Sequence, residues 1–129
     1  MSRYFVVFTY LTSESSAAEL ENQVKSDGGN AEGYQCDGSQ FASVEKLCNR
    51  LIEKHAQPYA LIDNMGITAD ELIYGLNVEN YKKVIATNLD SAIYFNKCLI
   101  PAMSEEKRGK IIHMSSVSAF KGNKGQVSY

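Results

Sequence analysis

Ser116 and Tyr129 stand thirteen positions apart, directly behind the apolar run Lys110-Ile111-Ile112-His113-Met114. An apolar strand that opens into a loop of small residues is where open α/β sheets present chemistry, at the carboxyl ends of the strands. Two hydroxyls delivered there can point at one substrate carbonyl, with the phenol doing the proton transfer. A free phenol has a pKa of about 10, too high to exchange protons efficiently near neutrality, so Tyr129 needs help from its surroundings. Asn88 is the third polar residue of note: an amide within an apolar helical stripe costs stability unless it finds a partner. Taken singly, each has a plainer reading. Ser115, Ser116 and Ser118 are then small loop residues, Tyr129 a packing aromatic, and Asn88 a cap or a partner for backbone groups.

The elements that must position these residues alternate in type. Tyr4 to Tyr10 is aromatic and β-branched, a strand by composition. Ser13 to Ser16 offer caps for a helix over Ala17 to Ser26, closed by Gly28-Gly29. Ala31 to Cys36 reads as a weaker strand. Asp37 or Ser39 can cap the next helix, whose apolar residues Phe41, Val44, Leu47, Cys48, Leu51 and Ile52 recur at helical spacing. After Pro58, Tyr59 to Ile62 makes a short strand, followed by a loop from Asn64 to Leu76. Asn77 then caps a long helix whose stripe runs Tyr81, Val84, Ile85, Leu89, Ala92, Ile93, Cys98 and Leu99 towards Met103. Lys110 to Met114 is the last strand. The order β-α-β-α-β-α-β predicts an α/β fold, a partial Rossmann-like, doubly wound parallel sheet with right-handed crossovers, as a single incomplete domain over residues 1–129.

A dinucleotide-binding sheet usually places a glycine-rich turn between its first strand and helix, so that backbone N–H groups approach the pyrophosphate. Here the first strand runs into Leu11-Thr12-Ser13-Glu14-Ser15-Ser16, which has no glycine and carries an acid. That loop is not a diphosphate cradle.

Four segments in order carry a resemblance: Asp63-Asn64-Met65-Gly66-Ile67-Thr68, Thr87-Asn88-Leu89, Ile112-His113-Met114-Ser115-Ser116-Val117-Ser118, and Gly122-Asn123-Lys124-Gly125-Gln126 leading to Tyr129. Together they resemble the short-chain dehydrogenase/reductase family, most closely its 3-oxoacyl-(acyl carrier protein) reductases of fatty acid biosynthesis. Their joint spacing outweighs the plainer reading of each residue alone. The resemblance implies hydride transfer from a nicotinamide to a ketone. Tyr129 would donate a proton to the developing alkoxide, Ser116 would polarise the carbonyl oxygen, and Asn88 would hold a water linked to a lysine four residues beyond Tyr129. It also implies that Asp37 and Gly38 lie near the adenine, with helix capping the competing reading for Asp37, and that Asn64 and Gly66 line the nicotinamide ribose. Met65 stands where the family usually has alanine and Asp63 where it has asparagine, and the larger thioether would crowd the cofactor. On this alignment the family's first strand, glycine turn and first helix fall in a gap after Met1–Tyr4. The chain as given is therefore expected to be inactive.

Thr9, Tyr10 and Thr12 put no acid at the first strand's end to repel a 2′-phosphate, which leans towards NADP (as NADPH) over NAD. Lys107 and Arg108, expected near the reaction face, would meet an acidic carrier protein bearing the ketone, or simply lie in solvent. A net charge of -2 with no basic block argues against nucleic acid. No run approaches membrane-spanning length, and the apolar start at Met1 to Phe8 is too short for a signal peptide. Three widely spaced cysteines, Cys36, Cys48 and Cys98, predict buried free thiols in a reducing cytoplasm, without a disulfide framework or metal site. His55 and His113 have no partner at ligand spacing and are expected to carry no chemistry. The long helix carries more apolar surface than one sheet face needs, and the resemblance implies a homo-dimer or homo-tetramer built on it. The alternative to a reductase is a non-catalytic or decayed α/β module that self-associates or pairs with full-length subunits. Edges left unpaired by a missing central strand predict poor stability for residues 1–129 alone.

Overall fold

Alternation of β-branched runs with helical stripes is borne out in the structure, a computed structural model that describes residues 4–129. The first three residues of the apolar start read above, Met1 to Arg3, lie outside the described residues. Strands and helices alternate from β1 to β4, and all strand pairing is parallel. The strands pair two by two, one pair in each of two compact units that divide after Asp37.

In the first unit, β1 (Phe5–Tyr10) and β2 (Asn30–Gln35) run in parallel with Phe5 opposite Asn30 and Tyr10 opposite Gln35. Their crossover is α1 (Glu14–Ser26), which starts behind Ser13 and ends where Gly28 takes φ +79, a left-handed turn that suits glycine. The Gly29 N–H closes that end on the Val24 carbonyl at 2.8 Å. Ala17, Tyr34 and Cys36 are the buried apolar residues here.

The second unit is built on α2 (Phe41–His55), which buries Val44, Leu47 and Cys48 along one stripe. The cap position, expected at Asp37 or Ser39, falls to Gln40, with extended backbone and no side-chain cap bond of its own. Strand β3 (Ala60–Asp63) pairs with β4 (Lys110–His113), with Ala60 opposite Lys110 and Asp63 opposite His113. Between them runs the long helical segment. Asn77 caps α3 (Val78–Ile85) by accepting from the N–H groups of Glu79 and Asn80 at 2.9 and 3.1 Å. The helix does not stay regular. Ala86–Asp90 widens into one π turn before α4 (Ser91–Glu105) resumes and buries Phe95, Leu99 and Met103. α2 packs on α4, and Phe41 meets Tyr94 edge to face at 5.4 Å between centroids. A short helix unforeseen in the sequence, α5 (Ser118–Lys121), follows β4.

Candidate active site

Parallel pairing brings the carboxyl ends of β3 and β4 level, so the Asn64–Ile67 and Met114–Ser118 segments leave the sheet side by side. The Met114 N–H donates to the Asp63 carbonyl at 2.9 Å, carrying the ladder one step past β4. Ser116 lies half-buried behind that step, and its Oγ accepts from the Ser118 N–H at 3.2 Å. That bond fixes the hydroxyl oxygen while leaving its hydrogen available to a third atom.

Tyr129 arrives on a segment pinned to the 69–71 loop. The Glu71 N–H donates to the Gly125 carbonyl at 2.6 Å in a parallel bridge, and buried Ser128 donates from Oγ to the Ala69 carbonyl at 3.4 Å. Ser118 Oγ donates to Gln126 Oε1 at 2.9 Å, and Asn123 Nδ2 donates to the same oxygen at 2.9 Å, tying α5 to the run before Tyr129. Glu71 in turn accepts from the Asn77 N–H at 2.8 Å and Asn80 Nδ2 at 3.2 Å, which ties the loop to the start of α3. Tyr129 itself is partly open to solvent.

Asn88 sits in the π turn, and both ends of its amide grip one residue. Oδ1 accepts from the Ile67 N–H at 2.8 Å, and Nδ2 donates to the Ile67 carbonyl at 2.9 Å. A π turn shifts side chains off the regular stripe, a distortion frequent at functional sites. It aims Asn88 at the loop behind β3. Asn64 and Gly66 are exposed there. A Cβ at Gly66 would meet nothing nearer than Asn88 Oδ1 at 3.9 Å, and Gly66 is not among the positive-φ residues. Neither packing nor backbone demands glycine at that point, which leaves open space where a ligand can approach the chain closely. Gly38 differs: it is buried, and the tip of Met65 fills the volume a Cβ would need. Asp37 is half-buried one residue earlier.

The sequence reading missed one cluster. His113 is not without a partner: its Nδ1 lies 2.9 Å from Asp63 Oδ2, and Asn96 Nδ2 donates to that oxygen at 2.8 Å. The Asp63 side chain is 8% exposed and that of His113 59%, so a shielded carboxylate orients an imidazole that faces solvent. Burial raises the Asp63 pKa, and the bonds from Asn96 and His113 offset this only in part. The signal was present in the sequence as an acid and a histidine each closing a strand, but only the register makes them neighbours.

Lys107 and Arg108 lie at the amino end of β4, the far end from Ser116, which corrects their expected place near the reaction face. A four-residue strand separates the two ends, so these cations do not serve the hydroxyls directly. They instead line a cleft of about 500 Å³ with Ile100, Met103 and Ile111. No disulfide joins the cysteines; Cys36 and Cys48 are buried as expected, whereas Cys98 is only half-buried, and desolvation still pushes its thiol up. Among the described residues no group of acids, histidines and cysteines is placed to hold a metal, and no helix is long and apolar enough to cross a membrane.

Comparison with known proteins shows the family and the fold. The family model described as short chain dehydrogenase matches residues 2–129. The 3-oxoacyl-[acyl-carrier-protein] reductase of Synechocystis is 30% identical over 124 residues, covering 96% of this chain and 50% of that protein. The reductase of the same name from Pseudomonas aeruginosa is 31% identical over 124 residues, again 96% of this chain and 50% of the relative. That from Escherichia coli K12 is 30% identical over 118 residues, 92% and 47% respectively. The chain thus spans about half the length of the curated relatives it matches. A solved double mutant of a Serratia marcescens short-chain dehydrogenase/reductase shares the fold with a TM-score of 0.89 at 21% identity, covering 97% of this chain and 51% of that one.

Proposed function

Because the chain belongs to the short-chain dehydrogenase family, we propose that it forms part of an NADPH-dependent reductase of 3-oxoacyl thioesters, carried on an acyl carrier protein. The observation that carries this reading is the level pairing of β3 with β4, with Asp63 opposite His113, which sets the two loops side by side at the sheet's carboxyl edge. The three curated relatives named above are reductases of that substrate class. The bound cofactor supplies the hydride to the ketone carbon. Ser116, its oxygen held by the Ser118 N–H, donates its free hydrogen to the carbonyl oxygen as charge grows there. Tyr129 delivers the proton that completes the alcohol. Asn88 holds the loop behind β3 in place and has one amide hydrogen left for a water.

The residues suit the cofactor unevenly. The open space at Gly66, beside exposed Asn64, supports the reading that these two line the nicotinamide ribose. Asp37, at the end of the segment behind β2, would accept from the adenine amino group, as the resemblance implies. The choice of NADPH over NADH rests on the absence of an acid in Thr9, Tyr10 and Thr12. We read the two compact units as pieces of one Rossmann-like domain of a cytoplasmic protein, and the exposed Leu89, Ile93 and Ile100 on the long helical segment as surface for a second copy. The glycine-free loop Leu11–Ser16 favours a second reading, a non-catalytic module that associates with full-length subunits. Full-length protein incubated with NADPH and an acetoacetyl thioester separates the two: oxidation of NADPH supports the reductase, and its complete absence supports the module. Ser116→Ala is expected to lower kcat about 100-fold with little change in KM.

A further inference from the structure

Gly38 and Met65 share one volume. The Met65 Sδ and Cε stand where a Cβ at position 38 would be, and Ser91 Cβ closes the same spot at 3.3 Å. Met65 follows β3 by two residues, at the sheet's ligand-bearing carboxyl edge. Its thioether therefore reaches across to the buried Gly38 backbone. The pair is exclusive: a side chain at 38 would evict the thioether, and the thioether rests there only because position 38 has none. Methionine has three rotatable bonds and no branch, so it can leave such a seat by rotation.

Resting on the reading of Gly38 as part of the adenine end of the NADPH site, the geometry points to Met65 as the residue that sets nucleotide affinity, by lying in the nucleotide's place until it swings away. The nucleotide must displace a settled side chain and immobilise it elsewhere, a cost an alanine does not impose. In the full-length protein, titrated with NADPH and with 2′,5′-ADP as an adenine-end probe, Met65→Ala is expected to lower both Kd values about three- to tenfold. Thermal melts supply the readout independent of binding. Gly38→Val should lower Tm sharply beside Met65 and much less in the Gly38→Val, Met65→Ala double variant, because the valine then takes the vacated volume. Equal or weaker binding by Met65→Ala, with the parent still binding NADPH, overturns this inference alone. Binding by neither protein overturns the reductase reading and this inference with it. Melts in which Gly38→Val costs the same with or without Met65 also contradict it, since the two residues would then not share space.

Discussion

Asn88 shows how one side chain serves stability and site geometry together. Its amide satisfies both backbone groups of Ile67, so Asn88→Ala should cost about 1–2 kcal/mol in urea unfolding of the full-length protein. Asn88→Asp, which keeps the acceptor but loses the donor, should fall between; two equal melts would contradict the two-ended grip. Asp63 makes a different prediction. Burial lifts its pKa above the ordinary 3.8, and the bonds from Asn96 and His113 do not bring it back. A carboxyl whose folded pKa is raised contributes its full stability below the unfolded value, and that contribution is lost as pH rises through the folded value. Asp63→Asn cannot titrate, so its Tm should gain on the parent as pH is raised from about 3.5 to 6. A flat difference across that range would mean the carboxyl is not desolvated. Ser116, Asn88 and Tyr129 stand out as candidates in the sequence because each lies within a recognisable segment. The Asp63–His113 contact was not legible, since those residues are fifty positions apart and meet only through strand register.

At the scale of elements, the strands and the three main helices were readable because their apolar periods are strong and their ends carry glycine, proline or asparagine. The Asn77 cap is the clearest case, and Asn77→Ala should destabilise by about 1 kcal/mol, read from chemical unfolding. The π turn at Ala86–Asp90 was hidden because the apolar stripe continues on both sides of it, so periodicity alone predicts an unbroken helix. The start of α2 was misplaced for a related reason: Asp37 and Ser39 are better cap formers than Gln40, yet the chain enters the helix one residue after Gln40. The other end of α2 stores strain. Ala56 has φ 60 and ψ -166, a region nearly confined to glycine. Ala56→Gly should therefore stabilise by about 1 kcal/mol, the relieved strain exceeding the added entropy of the unfolded chain. No gain, or a loss, would show that the backbone there is not strained.

On the scale of the whole molecule, apolar surface stays open on the β3–β4 pair, with Ile62 58% and Ile112 47% exposed, and just behind it at Met114, 60% exposed. Residues 1–129 by themselves should accordingly give a broad urea transition at low midpoint; a sharp one at high midpoint would contradict the expected frailty. The proposed function would need the hydroxyls of Ser116 and Tyr129 to act on one carbonyl, each held by a different set of ties: the Ser118 N–H for the serine, and the 69–71 loop for the segment before the tyrosine. The most direct test is the turnover of full-length Tyr129→Phe with NADPH and an acetoacetyl thioester, alongside its NADPH Kd. A fall in kcat of about 100- to 10,000-fold with Kd unchanged is the predicted result. Turnover equal to that of the parent would remove the phenol from the reaction and contradict the account.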